Sequence, residues 1–279
     1  MISAPPDARP ALAGRARMSP RRKARISRRV QYVVLIIVVI AVALATDWER
    51  VGSAFFNPES FRTIASRLPR ATLNTVTYMV AAFTAGLGLG LVLALMKLST
   101  VRLYRVLATG YIEFFRGIPA LLVVIAFGYG VPTAFDVRFD SIILQIAIAL
   151  GIVSAAYIAE TLRAGIQAVP KGQVEAARSL GMSSTGTLIH VVIPQTFRIV
   201  LPPLTNEAVL LLKDTSLVFV LPLTPLTYEL TRLGRGALSE ADGGMTSILA
   251  VGVMYLLITI PLSSLTRWLE RTTGYKGHV

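Results

Sequence analysis

The polar side chains Asn206, Glu207, Lys213, Asp214, Thr215 and Ser216 sit inside a largely apolar stretch running from about Ile199 to Leu221. A charge at the centre of a membrane-crossing helix costs about 2.5–3.5 kcal/mol on insertion scales, so such groups mark a pathway or the scaffolding around one. Residues seven apart return to nearly the same helix face, which stacks Asn206 over Lys213 and Glu207 over Asp214. The two pairs lie about 100° apart and form one broad polar wedge. Lys213 and Asp214 are adjacent and cannot neutralise each other along the helix, so each must meet another helix, a second subunit, water or a ligand. A zwitterionic amino acid would bring a carboxylate to Lys213 and an ammonium to Asp214 or Glu207. Pairing with neighbouring helices would instead make the wedge a strut of the bundle, and the residues leave both open.

A second polar stretch, Val169 to Gln195, separates two long apolar segments. Good helix formers run from Gln173 to Leu180 and stop at Gly181, which can take the left-handed conformation that ends a helix. Ser183 or Ser184 is placed to cap a second helix leading towards Pro194. Glu113 and Arg116 are three apart and share a helix face, and Glu160 and Arg163 repeat the spacing. We read these as ion pairs near the membrane surface, or support for a pathway, rather than as direct substrate contacts.

Other chemistries find no residues. There is no cysteine, and His190 and His278 stand far apart without partners at metal-ligand spacing, so no metal site is expected. No stretch fits GxxxxGK[ST], and no nucleophile and base stand together, so the chain is not expected to be an enzyme or to hold a cofactor of its own. The run GLGLG, Gly86 to Gly90, lies inside an apolar segment with no strand before it. There Ala82, Gly86 and Gly90 form a small-residue ridge for helix packing rather than a nucleotide loop.

The elements that must position these groups are membrane helices. The chain of 279 residues is 54% hydrophobic and only 15% charged, more apolar than a soluble domain can bury. Its net charge of +13 is concentrated in a basic N-terminal run, including Arg21, Arg22, Lys23, Arg25, Arg28 and Arg29, which suits anionic lipid better than nucleic acid. We expect residues 1–29 to be a disordered basic tail and 30–46 an N-terminal anchor. Ala43-Leu44-Ala45 resembles a signal-peptidase site and Ser27-Arg28-Arg29 a weak twin-arginine signal, but the long basic tail and the later spans favour an uncleaved anchor. Further spans are expected at Thr72–Met96, Leu107–Val131, Ser141–Ala159, Ile199–Leu221 and Met245–Leu265. Asp47–Arg70 and Pro222–Gly244 would form external loops, and 271–279 a short tail. Six crossings put both termini and the basic clusters on the cytoplasmic side.

Several of these stretches also resemble one family. Glu175-Ala176-Ala177, three residues, Gly181, nine residues, then Val191, Ile193 and Pro194 resemble the EAA loop of bacterial ABC import permeases. Tyr111 to Pro119, YIEFFRGIP, resembles a signature of the polar amino acid branch, with Ile118 where threonine is common. Ala156 to Ile166 before Gln173, and Tyr228-Glu229-Leu230 with Arg232, resemble the same branch, which covers about residues 70–270. The resemblance implies an all-α integral membrane protein with a type I importer permease bundle of about six transmembrane helices and a cytoplasmic coupling helix. It implies ATPase contact through Gln173, Glu175, Ala176, Ala177, Gly181 and Pro194. The implied partners are cytoplasmic ATPase subunits carrying ATP and Mg, a second permease copy or homologue, and an extracytoplasmic amino acid-binding protein at the bacterial plasma membrane. An ion- or proton-coupled carrier using Glu207 and Asp214 is the competing expectation, though it has no use for the EAA loop. A structural or signalling membrane protein would leave the intramembrane charges idle.

Overall fold

A computed structural model describes residues 20–240 and 244–273, and among these the regular structure is entirely helical. The chain divides after Ser53 into two units. In the first, α1 (Pro20–Ala45) is a single helix, of which Ser27–Ala45 is apolar enough to cross a membrane. Residues 20–29, expected as disordered tail, are therefore helical. Pro20 is suited to a first helical position, and the Arg, Lys and Ala that follow are helix formers with no breaker before the span. Residues 1–19 of that tail and 274–279 of the C-terminal one lie outside the described residues. The helix closes where Thr46 Oγ1 donates to Val42 O at 2.6 Å and Trp48 Nε1 to Ala43 O at 2.7 Å, leading into α2 (Trp48–Phe55).

The second unit starts on α3 (Pro58–Ala65), where the Asn57 side chain accepts from Glu59 N–H. It is built around α4 (Leu68–Leu98) and α8 (Ile142–Gln167). The small-residue ridge sets their distance: a Cβ on Gly90 would stand 2.8 Å from Ile158 Cγ2 and 3.1 Å from Ala155 O, and one on Gly86 3.2 Å from Gly151 O. Gly151 answers from the other side, its ideal Cβ 2.9 Å from Ala85 Cβ. Small residues here let two backbones pack where lipid supplies no hydrophobic drive. Ala94, Ala155, Ala156, Ile158 and Ala159 are fully buried in this seam.

The expected third span is broken. Arg102–Gly117 (α5) and Ala120–Phe135, which comprises α6 (Ala120–Ile125), a π turn (Ala126–Gly130) and α7 (Val131–Phe135), meet at 102°. The cause is local: Pro119 disfavours helix at the residue before it, and Ile118 is extended at φ −98°, ψ 140°. Carbonyls in the π turn are met from α8, where Gln145 Nε2 donates to Phe127 O at 3.1 Å and Gly128 O at 3.2 Å. Among the described residues, five helices are thus long and apolar enough to cross a membrane, or six if the bent pair counts as one span.

After α8 come α9 (Lys171–Ser179), α10 (Ser184–Thr187), a second π turn (Leu188–Val192), α11 (Ile193–Asp214) and a 3₁₀ turn (Thr215–Val220). Pro202 and Pro203 lie well inside α11, because the helix starts ahead of them and Pro194 takes the first-turn place. The expected external loop 222–244 contains α12 (Leu230–Ala237), whose Leu230, Leu233 and Ala237 join Ile64 of α3 and Val251 of α13 (Met245–Thr273) in a core cluster. Residues 271–273, expected as tail, continue α13.

Candidate functional site

At the polar interlude, α9 ends in a pair of backbone hydrogen bonds: Met182 N–H donates to Ala177 O and Gly181 N–H to Arg178 O, both at 3.1 Å. This Schellman closure requires a left-handed residue, and Gly181 supplies it at φ +85°. Ser183 then caps α10, accepting from Gly186 N–H at 3.0 Å. Ala177 is buried and anchors the helix, whereas Gln173, Glu175, Ala176, Gly181 and Pro194 are exposed. Leu180, at the turn, is 86% exposed, a large apolar side chain held out on a rigid corner. Residue spacing alone gives no signal for it. Beside the corner a cleft of ≈ 350 Å³ is lined by Gln173, His190, Val191, Pro194, Gln195 and Arg198. The neck of the loop is closed by α8 against α11: a Cβ on Gly165 would stand 2.0 Å from Val200 Cγ1.

The two expected ion pairs part company. Arg163 donates to Glu160 Oε2 from Nε at 3.0 Å and from Nη2 at 2.7 Å, and Lys97 of α4 pairs with Glu160 from the other side. As one of the basic residues expected on the cytoplasmic side at a helix end, Lys97 needs no partner, so spacing gives no signal of its pairing with Glu160. No ion pair joins Glu113 to Arg116 among the described residues. Glu113 instead lines a wide surface cleft with Lys97, Arg102 and Arg105, and the Arg116 guanidinium lies 5.5 Å from the centre of the Tyr157 ring. The break at Ile118 and Pro119 follows these residues directly.

The intramembrane wedge divides into two faces. Glu207 and Asp214 are half-buried and together line a cleft of ≈ 230 Å³, facing Ser154 and Tyr157 of α8 and Ile118 at the helix break. Asn206 and Lys213 are exposed on the outside of this chain. Thr215 is buried and donates to Leu212 O at 2.6 Å, and Ser216 is half-buried beside it. Glu207, Lys213 and Asp214 make no ion pair with another described residue, although Glu207 stands within electrostatic reach of both Asp214 and Arg116. Ser154 and Tyr157, which complete the cleft, gave no signal because an isolated hydroxyl in an apolar helix is common.

Glu229, outside the spans, is fully buried. It caps α12, accepting from Thr231 N–H at 2.6 Å and Arg232 N–H at 2.5 Å, while Tyr255 Oη donates at 3.3 Å. Burial outweighs these donors and pushes its carboxyl up to about 7.

Residues 86–275 match the family described as "Binding-protein-dependent transport system inner membrane component". The chain is 36% identical over 198 residues to the probable glutamine ABC transporter permease protein GlnM of Bacillus subtilis, covering 71% of this chain and 89% of that protein. It is 32% identical over 207 residues to the glutamate/aspartate import permease protein GltK of Escherichia coli O6:H1, covering 72% and 90%. Among solved structures it resembles an amino acid ABC transporter crystallised with histidines, with a TM-score of 0.67 and 33% identity over 76% of this chain and 98% of that one. The inward-facing MetNI methionine ABC transporter, at 15% identity and a TM-score of 0.59 over 78% and 99%, shares the fold.

Proposed function

Since this chain belongs to the binding-protein-dependent transport system inner membrane component family, we propose that it is the membrane subunit of an ATP-driven importer of a polar amino acid. Its fold is the type I importer permease bundle. The observation that carries the reading is the coupling loop: a capped helix in the EAA pattern, exposing Glu175 and Leu180 on a stiff corner for a partner to grip. A permease of a binding-protein-dependent system works with ATPase and solute-binding subunits. Here ATP and Mg sit in two cytoplasmic ATPase subunits that dock on Gln173, Glu175, Ala176, Ala177, Gly181 and Pro194. A second copy of this chain, or a homologue, completes the pathway and meets the exposed Asn206 and Lys213. The chain lies in the bacterial plasma membrane with both termini in the cytoplasm.

Transport follows from alternating access. Closure of the ATPases displaces α9, and α11, which continues from the loop through Pro194, carries Glu207 and Asp214 at the cleft, with Thr215 and Ser216 in the turn that follows. Glu160, held by Lys97 and Arg163, ties α4 to the end of α8 just before the loop. Arg116 supports the cleft from the helix break, and Glu113 stays at the membrane surface. A binding-protein-dependent system leaves the ion- or proton-coupled carrier reading without support.

The test is purification of the tagged chain from its host, followed by ATPase measurement in proteoliposomes. An ATPase subunit should co-purify, and hydrolysis should rise when an amino acid and its binding protein are added. Uptake driven by an ion gradient without ATP overturns the proposal.

A further inference from the structure

The charge balance of the cleft says which amino acids suit it, on the premise that the cleft is the substrate site. Glu207 and Asp214 stand two helical turns apart on α11 and line one cavity. Neither makes an ion pair with a described residue. Lys213, the cation nearest in sequence, is exposed on a face about 100° round the helix and does not line the cavity. Among the described residues, the positive group acting on Glu207 is Arg116, placed against the ring of Tyr157, which lines the cavity. The remaining lining is uncharged: Ile118, Ala120, Leu150, Val153, Leu210 and Leu211, with the Ser154 hydroxyl, which donates to Gly151 O at 3.1 Å.

Two negative groups against one positive leave the cavity with a single negative charge. A zwitterion of no net charge can match one carboxylate and Arg116, but it leaves the second carboxylate desolvated without a partner, an expensive arrangement in a low-dielectric site. A dicarboxylic amino acid makes the excess worse. An amino acid with a cationic side chain satisfies all three groups, its α-carboxylate towards Arg116 and its two positive groups towards Glu207 and Asp214. The cavity of ≈ 230 Å³ has room for such a ligand, at ~30 Å³ for each water displaced.

We propose that this permease selects cationic amino acids, with Glu207 as the residue that sets the preference. Glu207 carries the second negative charge of the cavity, and its removal leaves a site balanced for a neutral zwitterion.

The experiment is scintillation-proximity binding in nanodiscs, using the full chain purified with its accompanying subunits and labelled L-arginine, L-glutamine or L-glutamate. The unaltered complex should bind arginine about 10-fold or more tighter than glutamine, as expected when one charge pair is made or left open. Glu207→Gln should lose arginine affinity about 10-fold and lower glutamine affinity much less, and Glu207→Asp should keep the arginine preference. Glutamine or glutamate binding as tightly as arginine to the unaltered complex overturns the preference and leaves the pathway reading standing, provided substitutions at Asp214 still change that binding. If no substitution at Glu207 or Asp214 changes the binding of any of the three, the pathway reading falls and this proposal with it. The unaltered complex decides the preference even if a variant fails to assemble.

Discussion

Gly181 combines a positive φ with a place at the corner of the proposed coupling loop, so a side chain there has two effects. A Cβ strains the left-handed turn by roughly 1–2 kcal/mol, and a longer group covers Leu180's surroundings. Gly181→Glu and Glu175→Lys are expected to lower ATP-driven uptake at least about 10-fold, the loss of one well-buried interface contact, with membrane abundance unchanged. Uptake by vesicles beside an immunoblot of the same membranes checks both. Glu229 gives a pH prediction. Its carboxyl titrates near 7 in the folded chain and near 4.5 when unfolded, so between these values the folded state keeps a proton the unfolded state has lost. Stability therefore falls as pH rises through about 4.5 to 7 and levels off above, and Glu229→Gln flattens the slope. Melting in detergent across that range measures it, and a melting temperature that rises with pH would sink the assignment. At this scale the sequence was partly legible. Gly181, Ser183 and the Glu160–Arg163 pair follow from local spacing, because turn and cap chemistry is local. That Glu113 turns to the surface, that Lys97 reaches Glu160, and that Ser154 and Tyr157 face Asp214 depends on how α4, α5 and α8 meet, which spacing within one helix cannot express.

The seam between α4 and α8 is an element-scale constraint. Gly90→Val puts two methyl groups where Ile158 and the Ala155 carbonyl already stand, and overpacking of this kind costs about 1–3 kcal/mol. The expected result is less monodisperse protein by fluorescence-detected size exclusion, with little change for Gly88→Val, since nothing lies near a Cβ at Gly88. The same element pair shows why span positions were readable while helix ends were not. Apolar runs identify α4, α8 and α13, but helical hydrogen bonding carries on through Lys97, Glu160 and Arg267, where hydropathy has already dropped. The broken third span was written in Gly117-Ile118-Pro119, yet its apolar content matches a straight helix, and only the backbone preference before proline argues otherwise. α12 escaped notice for the opposite reason. Its eight residues include three charged or hydroxyl side chains, and its apolar face of Leu230, Leu233 and Ala237 is too short to register as a buried helix.

For the molecule in its membrane, the absence of cysteine from the sequence makes single introduced thiols unambiguous reporters. A membrane-impermeant maleimide should label Phe56→Cys from outside intact right-side-out vesicles and Leu180→Cys only after permeabilisation, both sites being exposed. Labelling of Leu180→Cys from outside would invert the topology and remove the coupling loop from any ATPase. One further feature bears on how motion at that loop reaches the cleft. The helix from Ser184 to Asp214 is continuous but not uniform, because Leu188–Val192 winds as a π turn. A π turn carries one residue more than an α turn, so it acts as a phase shifter: everything after it is rotated by about 100° relative to the count an α-helix would keep. The azimuth of Glu207 and Asp214 with respect to the loop is therefore set by a single surplus residue. Deleting Ile189 removes that surplus residue, so the turn rewinds as α-helix and both carboxylates keep their azimuth at the cleft. Uptake should then largely survive, whereas inserting one alanine after Leu201, with the π turn already in place, turns both carboxylates about 100° off the cleft and should abolish uptake although every side chain of the loop motif and of the cleft is still present.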